Sequence, residues 1–313
     1  MIRPFALFAL LSVGVAMPAL AQRTTLPVRM LELPNGDRRF TTTLVIDGKP
    51  VEVGIDTGST GLRVLPRGLA AASLRKRGPR ITYSYGAGTG FDGEGIVVSV
   101  GAGALAGSVK VMRITGVGCV AGHPNCPIAH LALETYGIQG DGLPNQGFAA
   151  ILGIRLKADP VANPFEQLGV KRWIVELPRD PAQEGRIVLD PDAADLAAYA
   201  RIDVDADGTT PGCLVGPQKV CGRAFFDSGA AGLRVMRAAA FRPWPNGTPA
   251  TIEVGGGAQR QAMTVTIGRR DEASALLHEP GGPDTRLSLG FAPYFHWSVL
   301  YDAERHQIGV APR

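Results

Sequence analysis

Two segments of this 313-residue chain carry residues that could do chemistry together. Ile55-Asp56-Thr57-Gly58-Ser59-Thr60-Gly61-Leu62-Arg63-Val64 and Phe226-Asp227-Ser228-Gly229-Ala230-Ala231-Gly232-Leu233-Arg234-Val235 agree at six of ten positions and stand 171 residues apart. That separation is too long for a solenoid period and suits one copy in each of two similar lobes. In each copy an apolar strand ends in Asp, followed by a hydroxyl residue and Gly. The strand carries the Asp into a semi-buried place, and Gly permits a tight turn whose N–H groups point back at the carboxylate. Two such loops set face to face would bring Asp56 and Asp227 side by side. Like charges that close cannot both ionise readily, so the pair would share a proton. One carboxylate can then take a proton from water while the other gives one to a carbonyl, which is general acid–base hydrolysis without a covalent intermediate.

Other chemistries lack their residues. There is no Gly-x-Ser-x-Gly elbow, no His-Glu-x-x-His and no P-loop. The five histidines, His123, His130, His278, His296 and His306, form no ligand spacing. Gly86-x-Gly88 hints at a dinucleotide loop, but strand-like Gly95–Val100 follows where that motif requires a helix. No metal or cofactor is expected. The net charge of +4 and pI near 9.0 are mild, and the densest basic run, Arg75-Lys76-Arg77, reads as a solvated loop rather than a nucleic-acid patch. Asn246-Gly-Thr248 reads as a turn rather than a glycosylation site. The four cysteines allow three connectivities. Two local loops, Cys119 with Cys126 and Cys213 with Cys221, are the simplest; a zinc site is disfavoured because the spacings are not CxxC and only His123 lies nearby.

The elements that must position the two Asp residues read as mainly β. Gly (41) and Pro (24) are abundant between short Val/Ile/Thr runs. Strands are expected at 41–46, 51–55, 95–100, 108–114, 173–177, 186–189, 251–254, 262–267 and 298–302, with Asp47-Gly48 as a hairpin turn between the first two. Short helices are expected at 69–74, 165–168, 193–200 and 237–241. Arg3, the apolar run Phe5 to Val15 and Ala19-Leu20-Ala21 read as a signal peptide cut after Ala21, so residues 1–21 would be lost and the mature protein exported to the periplasm or beyond. No later stretch is long enough to cross a membrane. Pro178, Pro181 and Gly185 punctuate a lobe boundary, giving one lobe over 22–180 and a second over 181–313.

Over nearly its whole mature length the chain resembles the pepsin-like aspartic proteases, as an exported bacterial member. Asp56-Thr57-Gly58-Ser59 and Asp227-Ser228-Gly229-Ala230 match the two active-site motifs; Ile151-Leu152-Gly153 and Ser288-Leu289-Gly290 match the apolar-apolar-Gly elements behind them; 298–312 matches the closing hairpin. The resemblance implies a bilobal double-ψ β-barrel fold with the active-site cleft between the lobes. It implies catalytic Asp56 and Asp227, supported by Thr57, Gly58, Ser59, Ser228 and Gly229. Thr57 and Ser228 would hydrogen-bond across the lobes, and Ser59 would donate to Asp56. A flap would carry Tyr85 and Gly86, Tyr85 being a better match than Tyr83. The implied activity is an endopeptidase acting, as a monomer, on peptides or unfolded proteins; the alternative is a pepsin-fold peptide-binding protein that cleaves little or not at all.

Three departures set further expectations. Ala230 stands where many members carry Ser or Thr, so Asp227 is expected to lack a hydroxyl donor and to have a higher pKa. Arg63 replaces a Trp that supports the flap Tyr, and Arg234 is its repeat mate. Both are expected on outward strand faces, paired with acids, with a cleft-facing role in acidic substrate preference as the rival reading. The stretch 22–56 leaves little room for a prosegment.

Overall fold

The computed structural model describes residues 24–313, so the expected leader and its cleavage point at Ala21 lie outside the described residues. Among the described residues, twenty strands are interspersed with four helices of four or five residues and two short 3₁₀ turns. The strands form two sheets, one of thirteen strands and one of seven. Among the described residues no helix is long and apolar enough to cross a membrane.

Strand patterning follows the sequence. Thr24–Glu32 alternates buried and exposed residues, as a half-buried strand must. Thr60–Val64 and Ala150–Ile154 are buried throughout, as expected for strands covered on both faces. Arg38–Ile46 and Lys49–Asp56 form the predicted hairpin, and both turn residues, Asp47 (φ 51°) and Gly48 (φ 79°), lie in the left-handed region that a type I′ turn needs. At the far end of the larger sheet, Ala200–Asp203, Gln307–Pro312, Trp297–Asp302, Arg172–Glu176, Gly185–Leu189 and Thr24–Glu32 run antiparallel in that order. Residues 177–184 are therefore the connection between two adjacent antiparallel strands.

The repeat is structural as well as sequential. Lys49–Asp56 pairs in parallel with Ala150–Ile154, which pairs antiparallel with Thr60–Val64. Lys219–Phe225 pairs in parallel with Arg286–Ser288, which pairs antiparallel with Leu233–Arg237. The registers correspond: Gly54 faces Ile151 as Phe225 faces Ser288, and Arg63 faces Ile151 as Arg234 faces Ser288. Each strand after a repeat also borders an outer parallel strand, Arg63 opposite Met112 and Arg234 opposite Leu277.

Two expected helices change. Residues 238–241 form no helix: Leu233–Arg237 is extended by its ladders to two neighbours, and Pro243 and Pro245 disfavour helix beyond it. The helix expected at 193–200 ends at Leu196, because Ala200 opens a strand paired with Gln307–Pro312.

Trp173 is fully buried, stacked on Tyr301 at 5.8 Å and edge-on to Phe165 at 5.7 Å, while its Nε1 has no hydrogen-bond partner. Trp173→Ala should cost about 3–5 kcal/mol in urea unfolding. Trp173→Phe should cost much less, because it also removes the orphaned donor; equal losses would contradict this packing.

Candidate active site

Each repeat turns immediately after its strand, and the turn's first free N–H groups close back on the Asp. Gly58 N–H donates to Asp56 Oδ1 (2.9 Å) and Ser59 Oγ to Asp56 Oδ2 (2.7 Å). Gly229 N–H donates to Asp227 Oδ1 (3.1 Å) and Ser288 Oγ to Asp227 Oδ2 (2.8 Å). Each carboxylate thus has one backbone and one hydroxyl donor.

The two loops meet through their glycines. A Cβ on Gly58 would stand 2.4 Å from Asp227 Oδ1, and one on Gly229 would stand 2.8 Å from Asp56 Oδ1. The space a side chain would take is held by the opposite carboxylate, which is why glycine is required at both positions. Asp56 and Asp227 are therefore brought together.

Beneath them the loops exchange hydrogen bonds as expected for Thr57 and Ser228. Thr57 N–H donates to Ser228 Oγ (3.0 Å), and Ser228 N–H donates to Thr57 Oγ1 (2.8 Å). Ser228 Oγ donates to the Ile55 carbonyl (2.9 Å), and Thr57 Oγ1 to the Phe226 carbonyl (3.3 Å). Sequence reasoning missed what lies below. Tyr294 OH donates to Thr57 Oγ1 (2.7 Å) and in turn contacts Tyr301 OH. Burial pushes both phenols up, so they remain protonated donors.

The expectation that Asp227 lacks a hydroxyl donor is overturned. Ala230 supplies none, but Ser288, the last residue of the return strand Arg286–Ser288, supplies it instead. The equivalent position in the other half is Ile151, where Ser59 already serves Asp56. The hydroxyl has moved from the loop to the strand behind it. Its only trace in the sequence is the polar residue opening Ser288-Leu289-Gly290.

Burial raises the Asp56 pKa, against the pull of Ser59, Gly58, Arg63 and Arg155. Burial and then the charge of Asp56 push Asp227 up to about 6, against Ser288, Arg234 and Arg155. Up to about pH 6 the pair therefore holds a proton where isolated carboxylates would have lost it.

Arg63 is not on an outward face. Thr60–Val64 has none, and the Arg63 side chain is wholly buried. It is neutralised by Asp159, whose two oxygens lie 3.2 and 3.1 Å from Nη2, and its Nη1 donates to the Thr60 carbonyl. Its guanidinium lies 3.3 Å from the centroid of Tyr83. Arg234, by contrast, reaches the cavity wall and pairs with Glu279. Tyr83 and Tyr85, two apart on one strand and its turn, point to the same side and pack edge to face at 5.1 Å. Tyr85 also packs against Phe91, and its hydroxyl is buried without a partner. Gly86 lies at the exposed hairpin tip with open space around it. The Tyr83 phenol is pushed up to about 12 by burial.

One cavity of about 270 Å³ is lined by Asp56, Asp227, Tyr83, Tyr85, Gly86, Arg39, Arg155 and Gln139 among others, while Arg63 lies outside its wall. Gln139, also unforeseen, adopts a left-handed backbone (φ 60°). Its carbonyl accepts from Arg39 Nε (2.9 Å), and its amide Nε2 stands 2.9 Å from the point where a Gly229 Cβ would lie. The cysteines pair as 119–126 and 213–221. The second pair bridges directly opposed residues of a hairpin. The first closes a loop whose Val120 N–H donates to the Gly88 carbonyl at the tip of the hairpin bearing Tyr85 (2.8 Å). Such disulfides fit an oxidising compartment. Among the described residues no cluster of His, Cys, Asp or Glu is arranged to hold a metal ion. No protein-family model matches the chain, and no curated protein matches it.

Two outcomes follow. Removing the donor in Ser288→Ala should raise the upper apparent pKa of the pair by about 1 unit, read from carboxyl ¹³C titration, because a hydrogen bond to the charged form is lost; an unmoved titration would contradict its role. The second concerns stability. Asp227 titrates near 6 when folded and near 3.9 when unfolded. The folded state binds more protons between those values, so stability falls as pH rises through roughly 4 to 6. Asp227→Asn escapes that loss and should exceed the wild type by roughly 1–3 kcal/mol at pH 7, with no advantage below about pH 4 in parallel thermal melts.

Proposed function

We propose that this chain is an exported aspartic endopeptidase, in which Asp56 and Asp227 activate a water between them for attack on a peptide carbonyl. The observation that carries this reading is the reciprocal seating of each carboxylate against the other repeat's glycine. A shared proton there supplies a base and an acid at once, so no nucleophilic side chain or metal is needed. The matching registers around the two repeats support a bilobal, pepsin-like double-ψ arrangement with the cavity as its cleft. Tyr83, stacked on Arg63, and Tyr85 belong to the hairpin that would cover a bound peptide. The disulfides fit export through an oxidising compartment.

A second reading, a peptide-binding protein with little turnover, draws on Gln139. Its amide lies beside the point where Asp56 Oδ1 meets the Gly229 loop and narrows the space next to that carboxylate.

Incubation of the mature protein with a mixed peptide library from pH 3 to 7, with and without pepstatin, separates the two. Cleavage should occur, should be blocked by pepstatin, and should fall at least about 10²–10⁴-fold in Asp227→Asn and Asp56→Asn. Activity should decline above about pH 6 as the pair loses its shared proton. Saturable binding with no cleavage at any pH would favour the second reading and overturn the first.

A further inference from the structure

Arg155 follows the return strand Ala150–Ile154 and lines the cavity that holds both carboxylates. It is only 6% exposed. Its guanidinium lies over the Phe225 ring, 4.3 Å from the centroid, and Nη1 donates to the Gly58 carbonyl (3.1 Å). Gly58 is the residue whose α-carbon abuts Asp227, so the cation stands close behind the pair. Nε and Nη2 are buried and have no hydrogen-bond partner.

A guanidinium so removed from water needs an anion. The other arginines on this cavity have one: Arg39 pairs with Asp37 and Arg234 with Glu279. Arg155 forms no ion pair among the described residues; the charges of Asp207 and Asp227 act on it only from a distance, and the neighbouring acids take other donors. Asp207 accepts from Arg286 (3.0 Å) and from the Thr209 amide and hydroxyl. Asp205 pairs with Arg223, and Asp159 with Arg63. Asp56 and Asp227 take their own loop and strand donors. On the Nε side, Gly208 borders a separate cavity of about 10 Å³, which has room for one water at most and so supplies no charge. Nη2 is the remaining donor, on a cation that contacts Phe225 and the Gly58 carbonyl and lines the cavity.

We propose that Arg155 is the receptor for a carboxylate on the bound peptide, seated on the Phe225 side of Asp227, and that it makes the site selective for acidic ligands. The carboxylate belongs either to an Asp or Glu side chain or to a free chain terminus. The proposal rests on the peptidase reading of the cavity. A ligand carboxylate completes the charge-assisted contacts that Arg155 lacks, and a neutral ligand leaves them unmade.

The test uses matched peptide pairs: Glu against Gln at each internal position, and free acid against amide at the C-terminus. With the wild-type protein at pH 6, kcat/KM should favour the carboxylate member of one type of pair by about tenfold to a hundredfold, and the type of pair identifies the source. The preference should shrink below about pH 4, where the peptide carboxyl is protonated. In Arg155→Met the ratio should fall to near one, and Arg155→Lys should keep part of it. A ratio measured within one variant does not depend on how much of that variant is folded. A wild-type ratio near one for both types of pair, or a ratio retained in Arg155→Met, overturns the proposal. If the wild-type protein cleaves no peptide, the peptidase reading fails and the same pairs are compared by equilibrium binding. Preferential binding of the carboxylate member, lost in Arg155→Met, then supports the proposal, and equal binding overturns it.

Discussion

Two carboxylates pressed toward each other away from water repel, and burial penalises the charge on each. The surroundings of Asp56 and Asp227 are arranged against that penalty. Each accepts one backbone N–H and one hydroxyl. Each approaches the other only because the facing residue has no side chain. What remains uncompensated is held as a raised pKa and a shared proton, the property that general acid–base chemistry on a carbonyl requires.

Repulsion also demands that the loops be held from below. The Thr57 and Ser228 exchange does this with four hydrogen bonds, every one of them between the two repeats. Tyr294 and Tyr301 extend the network, so that Thr57 Oγ1 accepts from one repeat's neighbour and donates to the other. Such chains polarise along their length and leave few alternative geometries. The charges further out follow another rule. Arg63 is buried, but Asp159 neutralises it and Tyr83 stacks on it, so a paired cation fills the place beside the hairpin.

Much of this was legible in the residues. The Asp-Thr-Gly and Asp-Ser-Gly copies, with their return-strand glycines, located the pair and its two loops, because a short loop between fixed strands leaves its Asp few places to go. The Asp47-Gly48 turn was legible for the same local reason. Longer-range substitutions were not. Nothing in Ala230 announces that Ser288, 58 residues later, stands in its place; the pairing of its strand with Lys219–Phe225 and Leu233–Arg237 brings them together. Arg63 read as a surface residue because a lone Arg in a strand usually is one, and its partner Asp159 is remote in sequence. Arg155 and Gln139 matched no motif at all. Residues 238–241 carried helix-forming alanines, but the preceding strand is committed to two ladders and prolines follow.

The central claim is that Asp56 and Asp227 form one electrostatic unit. Carboxyl ¹³C titration of Asp227 in wild-type protein and in Asp56→Asn tests it directly. If the pair is joined as described, removal of the Asp56 charge lowers the pKa of Asp227 from about 6 toward the ordinary carboxylate range, burial alone holding it above that range. An Asp227 titration that does not move between the two proteins would contradict the pairing and, with it, the proposed chemistry.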